Sequence, residues 1–242
     1  MAPTAARLLQ AWESGTAVAP LDRSPSLLDS LGAVAAGART DELTVGQCDA
    51  LLFELRRAMF GEILEVVATC PACQAEVELT VALGELQPPV REGPVAPLTV
   101  QANGYTLLCR IPRNRDLRAL EHRSGEVTLR DLLERCVLEA SSPEGSPVAL
   151  GELPEATVDA AVEVLAESDP GAQTALRVRC PCGSEWAAEL DIRDVVWSDL
   201  TDWVGRTLTE VHQLARAYGW SEAEILAMSG WRRRWYLEAA GW

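Results

Sequence analysis

The chain is poor in histidine, in basic charge and in long apolar runs. It has two histidines. His122 lies in a polar stretch, Glu121-His122-Arg123, and reads as a solvated side chain. His212 stands alone in a long helical stretch, where packing or surface exposure is the ordinary role. No Gly-x-Ser-x-Gly elbow, phosphate loop, His-Glu-x-x-His pair or dinucleotide fingerprint occurs. The carboxylates are scattered over helix faces, where solvation is their default role. These absences argue against an enzyme. Lysine and arginine total 21 against 36 acidic residues, a net charge of −15. Nucleic-acid phosphates would repel such a chain, which excludes non-specific DNA or RNA binding. No stretch reaches the roughly 18 apolar residues of a membrane span. The first residues, Met1-Ala2-Pro3-Thr4, lack the basic-then-apolar layout of an export signal, so a cytoplasmic location is expected.

Cysteine, by contrast, is present in a pattern. Of seven cysteines, Cys48, Cys109 and Cys136 stand singly in apolar stretches and read as small buried hydrophobes. The other four are paired, in Cys70-Pro71-Ala72-Cys73 and Cys180-Pro181-Cys182. Without an export signal, paired cysteines point to metal more than to disulfides. Each pair lies between strand-like runs: 63–69 and 76–83 around the first, 174–179 and 186–192 around the second. Alternation in the return strands is that of half-exposed ribbons. Each pair therefore sits at a hairpin tip, as a knuckle that presents both sulfurs on one side.

Four thiolates satisfy tetrahedral Zn2+ with no vacant position. Such a site is structural, with no room for a catalytic water. The expected ligands are Cys70, Cys73, Cys180 and Cys182. The second pair departs from the usual Cys-x-x-Cys spacing. A thioredoxin-like redox role would need the motif at a helix start, and Cys70 follows a strand.

The remaining pattern is helical at both ends and mixed between. At 242 residues, the length suits one large domain or two small ones. Short helices are expected near 5–12 and 26–34, with breaks at Gly15, Pro20 and Pro25. Thr44 caps a helix over 45–60 whose stripe is Cys48, Leu51, Leu52, Leu55, Met59 and Phe60. A Pro-rich link covers 87–97. Asn103-Gly104 between two alternating runs is a hairpin signal. Helices are expected over 115–122, 128–138 and 155–167, then over 195–218, 222–228 and 229–240. The fold class is thus α+β: a zinc-ribbon-like pair of β-hairpins, an inserted helical/β unit, and a helical C-terminal end. The expected divisions are an N-terminal helical segment 1–61, a ribbon-like core 62–192 with knuckles at 70–73 and 180–182 and an insert at 98–168, and a C-terminal region 193–242.

Four of the eight tryptophans fall in the last 23 residues, beside Arg232-Arg233-Arg234. Trp220, Trp231, Arg232, Arg233, Arg234, Trp235 and Tyr236 suit a protein–protein hot spot, and equally a small helical core. A helical hairpin over 222–239 would carry Arg232, Arg233, Trp235 and Tyr236 on its exposed face.

Three patches carry a family resemblance. They are Leu51-Leu52-Phe53-Glu54-Leu55-Arg56-Arg57-Ala58-Met59-Phe60-Gly61 before the first knuckle, Arg179-Cys180-Pro181-Cys182-Gly183, and the tail from His212 through Tyr218-Gly219-Trp220-Ser221 to Arg232-Arg233-Arg234-Trp235-Tyr236-Leu237-Glu238. Together they resemble the T-even phage type baseplate protein family of contractile tails and contractile injection systems. The resemblance implies a structural or assembly role among other baseplate or tail-tube proteins, and brings no catalytic residues. The competing functions are a zinc-ribbon nucleic-acid or transcription-associated module and a transient tail-assembly chaperone. Acidic residues around the knuckles (Glu62, Glu65, Glu76, Glu78, Glu185, Glu189, Asp191) weigh against nucleic acid.

Overall fold

A computed structural model of the chain describes residues 3–34, 39–86, 93, 95–121 and 127–242. Most of the expected Pro-rich link at 87–97, and His122, lie outside the described residues. Helices α1 (Ala5–Thr16) and α2 (Pro20–Leu31) pack together. The expected breaks at Gly15 and Pro25 both fall inside them. Pro25 lies in the second turn of α2 and is buried with Leu27, Leu28 and Leu31, which offsets the lost backbone bond. At Gly15 a Cβ would fall 2.6 Å from the Trp197 ring, so the glycine lets two helices close on each other. A capping box of Thr44 and Gln47 opens α3 (Val45–Phe60), which buries Cys48, Leu52, Phe53 and Leu55.

Beyond Gly61 the chain forms a two-stranded ribbon, β1 (Ile63–Thr69) with β2 (Glu76–Ala82), followed by the short α4 (Leu83–Leu86). Strands β3 (Leu98–Ala102) and β4 (Tyr105–Cys109) turn at Asn103-Gly104, where φ is 52° and 86°. Both central residues with positive φ are what a tight hairpin turn requires. Helices α5 (Asn114–Glu121) and α6 (Leu129–Cys136) follow. The helix expected over 128–138 stops at Cys136, and Val137–Ser141 becomes β5. It adds to the open edge of β4 across a bulge at Leu108/Cys109, completing a sheet of order β3-β4-β5. Pairing with β4 and packing of Val137 and Ala140 on the insert's core outweigh the one further helical turn. Then come α7 (Glu155–Ser168), the second ribbon of β6 (Ala175–Arg179) and β7 (Glu185–Glu189), and the long α8 (Ile192–Tyr218). Helices α9 (Glu222–Ala227) and α10 (Gly230–Ala239) fold back on α8. The class is mixed helix and sheet with small antiparallel sheets and a helical C-terminus.

Two cores result. The larger joins α1–α3 and α8–α10 with Leu64 of β1 and Leu83. The smaller lies between the β3-β4-β5 sheet and α6–α7. The three single cysteines are fully buried, Cys48 in the first core and Cys109 and Cys136 in the second. Burial pushes their thiols up, to about 11, 11 and 12. They behave as apolar fillers.

Polar bonds lock the two cores together. Asp169, just past α7, accepts from the Thr44 hydroxyl (3.1 Å) and the Gly46 amide (2.9 Å) at the start of α3. A Cβ on Gly46 would lie 2.4 Å from that carboxylate and 2.8 Å from backbone at Gly171 and Ala172, so only glycine permits the approach. Arg193 at the start of α8 bonds Asp49 of α3 (2.7 Å) and the Asn114 side-chain oxygen (3.0 Å). Arg56, also buried, bonds Asp199 of α8 (3.0 Å) and the carbonyls of Gly61 and Ile63, which aims β1 as it leaves α3.

Replacing one partner of a buried pair strands the other. Arg193→Leu should therefore destabilise the fold by about 3–5 kcal/mol in urea titrations near neutral pH, and adding Asp49→Asn should recover part of that. Burial also pushes the Asp49 carboxyl up to about 6, the Arg193 charge opposing it. The folded chain thus holds a proton that the unfolded chain releases near pH 4. This contribution is present below about pH 4 and is lost as pH rises through about 6. Compared with Asp49→Asn, the wild type should lose up to about 3 kcal/mol across that window.

Candidate metal centre

The ribbons bring the two cysteine pairs to one point. Cys70 follows β1 and Cys180 follows β6, and the sulfurs of Cys70, Cys73, Cys180 and Cys182 all lie within 4.8 Å of one another. The Cys70–Cys182 sulfurs are 3.8 Å apart and the Cys73–Cys180 sulfurs 3.6 Å. A disulfide would need about 2.05 Å, so these are free thiols. Tetrahedral zinc with bonds of about 2.3 Å places its sulfurs about 3.8 Å apart. The spacing found is that of a four-thiolate cage. Cys70 and Cys180 are buried, while Cys73 and Cys182 face solvent.

The short second pair is accommodated by a tighter turn. In the first knuckle the Cys70 amide donates to the Ala75 carbonyl, and the Gln74 amide to the Cys70 carbonyl, both at 2.9 Å. In the second the Cys180 amide donates to Ser184 and the Gly183 amide to Cys180, again at 2.9 Å. The loop is one residue shorter and closes one residue earlier. The residue after the second cysteine has positive φ in both knuckles, 61° at Gln74 and 93° at Gly183. Gly183 meets this demand without strain, and Gln74 meets it as an L-residue in the left-handed region. Glycine is the residue type such a turn favours and glutamine is not, so only the second turn carries a local signal of its conformation.

The electrostatics follow the same geometry. Burial raises the Cys70 thiol, but the backbone N–H groups of Cys73 and Ala72 and the neighbouring thiols outweigh it and bring it down to about 6. The Cys182 N–H lowers the Cys180 thiol, yet burial and the three other cysteines push it up to about 12. Cys73 is also raised, its neighbours Cys182 and Cys70 outweighing the Ala75 N–H. The low Cys70 thiol is thus set against raised thiols at Cys73 and Cys180. Only a cation at the centre lets all four ionise together. The donor set is soft, closed and of the right span for zinc. Zinc bound there would supply folding energy and hold the two ribbons together.

The C-terminal residues are divided between interior and surface. Arg233 is buried, contrary to the expected exposed placement. It pairs with Glu210 of α8 (2.7 Å) and bonds the Met228 carbonyl (2.9 Å). Arg233 and Leu237 form the one buried stripe of α10, so Arg233 docks the helix. Trp220 and Tyr236 are half-buried: Trp220 stacks on Tyr218 (ring centroids 4.5 Å apart), and Tyr236 meets both rings edge-on at 5.8 and 4.9 Å. Trp231 and Trp235 are 68% and 53% exposed, and Arg232 and Arg234 are also at the surface. Core and surface readings of the aromatic cluster thus apply to different residues. His212 is exposed. Among the described residues no helix is long and apolar enough to cross a membrane.

A family model described as T4 bacteriophage base plate protein matches residues 25–197, well over half of the chain, and the chain belongs to that family. The matched span contains both knuckles and the insert and ends in the second turn of α8. No curated protein and no solved structure matches the chain.

Elemental analysis of the purified full chain, prepared without chelator, should give one zinc per chain. Cys182→Ser should reduce that content and lower the melting temperature by about 10 °C, the shift that about 3 kcal/mol produces in a chain of this size. Unchanged metal content and melting temperature would count against the cage.

Proposed function

We propose that this base plate family protein is a structural or assembly subunit of the baseplate of a contractile phage tail-like particle or injection system. Its zinc, on Cys70, Cys73, Cys180 and Cys182, acts as a staple and takes no part in chemistry. Its aromatic and arginine-rich C-terminal end, through Trp220, Trp231, Arg232, Arg234, Trp235 and Tyr236, grips a neighbouring subunit. In this reading the insert at 98–168 is carried between the two halves of the stapled ribbon core, and 193–242 is the contact region. Assembly takes place in the cytoplasm.

The observation that carries the proposal is the family membership joined to the closed thiol set. Four sulfurs drawn from positions 70 to 182 leave no open coordination position. That combination suits a rigid building block, with no position at the metal for chemistry. The ribbon strands carry Glu65, Glu76, Glu78, Glu185 and Glu189, all exposed, which supports a protein partner over nucleic acid. Exposed tryptophan and arginine are the residue types of interface hot spots.

The test is co-purification with the adjoining baseplate or tail-tube subunit. Arg232→Glu with Arg234→Glu should abolish it while leaving the fold intact, since both side chains are at the surface. Arg233→Glu should instead unfold α10, because it breaks the buried pair with Glu210. Full recovery of the partner with the surface double variant would sink the docking role. Presence in purified particles would identify a resident subunit, and absence a transient assembly factor.

A further inference from the structure

The exposed side of α10 is organised as a ridge. Trp231 and Trp235 are one helical turn apart and point away from the buried stripe of Arg233 and Leu237. Trp242 lies just beyond the helix and is also exposed. Gly241, with φ of 84°, ends the helix, and the Trp242 amide donates to the Leu237 carbonyl (3.1 Å). This helix-ending turn fixes the backbone that carries the third ring, which is 57% exposed. Arg232 flanks the line on one side and Arg234 on the other. The chain has no lysine, so the positive charge here is entirely guanidinium, which pairs with carboxylates in a fixed geometry. Residues 203–242 hold five arginines against four glutamates, so all of the net negative charge lies in residues 1–202.

The β1–β2 ribbon offers the complementary surface. Its inner face, with Leu64, Val66 and Val81, packs on the large core. Its outer face presents Ile63, Glu65 and Val67 from β1 and Glu76, Glu78 and Thr80 from β2, all exposed. Ile63 and Val67 are 53% and 61% exposed, unusual for β-branched apolar side chains, and Val67 lies directly across from Glu78. Glu65, Glu76 and Glu78 have no ion-pair partner among the described residues. Two apolar side chains ringed by unpaired carboxylates match a tryptophan ridge flanked by arginines.

We propose that the Trp231–Trp235–Trp242 ridge of one copy of this chain seats on the outer face of the β1–β2 ribbon of a second copy. The contact rests on the reading above of the C-terminal end as a binding surface, and names the partner as the chain itself. It is head-to-tail, because ridge and ribbon are different surfaces, so it closes a ring or propagates. With 68%, 53% and 57% of their surface exposed, the three tryptophans have about 450 Å2 between them left to bury. That is about half of the roughly 800 Å2 per partner of a standard interface, the range of a weak, reversible contact. The arginine–glutamate pairs set the register and make the contact sensitive to salt.

The test is sedimentation of the full chain over a concentration series. The wild type should exceed the mass of one chain, 26.2 kDa, and return towards it in high salt. Arg232→Glu/Arg234→Glu should reduce it to one chain, and so should Glu65→Arg/Glu78→Arg. Mixing the two variants should restore association, because each keeps one native surface. Trp235→Ala should weaken association about 30-fold, as truncation of a hot-spot residue does. A wild type that stays a single chain up to about 0.5 mM, where even a weak contact is populated, overturns the proposal. So does association that none of these variants alters. If the chain stays single while the arginine variant loses the neighbouring baseplate subunit, the docking role stands and only the self-contact falls.

Discussion

The meeting of four sulfurs at the ribbon tips is the constraint on which the architecture turns. A two-stranded hairpin is marginal in water, and each ribbon here leaves one face to solvent. Neither could hold its tip in place unaided. The tips nevertheless converge to sulfur separations of 3.6 and 3.8 Å across positions 107 and 112 residues apart. Fixing such a junction closes a loop that contains the whole insert. A cross-link over a loop of about 100 residues removes unfolded-chain entropy worth about 4–5 kcal/mol. That is large against the stability of an ordinary domain. The insert's place in the molecule follows from this closure, since the chain must leave from one ribbon and return to the other.

Closure at the tips matters only if the ribbon bases are also fixed, and buried arginines do this. Arg56 bonds the carbonyls of Gly61 and Ile63 where β1 begins and Asp199 on α8. Arg193 binds α8 to α3 and α5 shortly after β7 ends. Asp169 binds the end of α7 to the start of α3 shortly before β6 begins. The first ribbon is therefore fixed where it starts, and the second is fixed on both flanks. A buried arginine is costly unless every donor finds an acceptor. Here the acceptors are carbonyls and carboxylates of neighbouring elements, so the bonds that satisfy the charge also set the geometry.

The sequence made the junction legible because the knuckle is a local pattern. Strand, Cys-Pro, cysteine and strand recur twice, and the chemistry of thiols needs them to meet. The Asn103-Gly104 hairpin and the Thr44 cap were legible for the same reason, as their signals lie within a few residues. What the sequence did not reveal depends on distant partners. Residues 137–138 read as the end of a helix by continuity and instead open β5, because β4 offers an open edge. Pro25 reads as a break and is tolerated because α2 is buried around it. Arg233 reads like its neighbours Arg232 and Arg234, and Glu210, 23 residues earlier, together with the Met228 carbonyl, draws it inside. The short Cys180-Pro181-Cys182 spacing departs from the usual one, and Gly183 makes it a one-residue-shorter version of the same turn.

The helix α8 joins these two kinds of structure. Its first turns lie inside the span shared with the family, and its remaining length lies outside it. At 1.5 Å per residue its 27 residues run about 40 Å, from the base of the second ribbon to the aromatic cluster. Arg193 and Asp199 anchor the early part of this rod to α3 at the ribbon base. Glu210, in its later part, receives Arg233 and so sets the orientation of α10. The outward direction of the tryptophan ridge is thus a consequence of one buried ion pair on a helix that is itself fixed at the ribbon base. A surface held this way loses little conformational freedom on binding. Pre-organisation of that kind improves affinity without any added contact. Trp231 and Trp235 are therefore exposed side chains on a helix whose orientation is fixed from below, the arrangement that the proposed docking role requires.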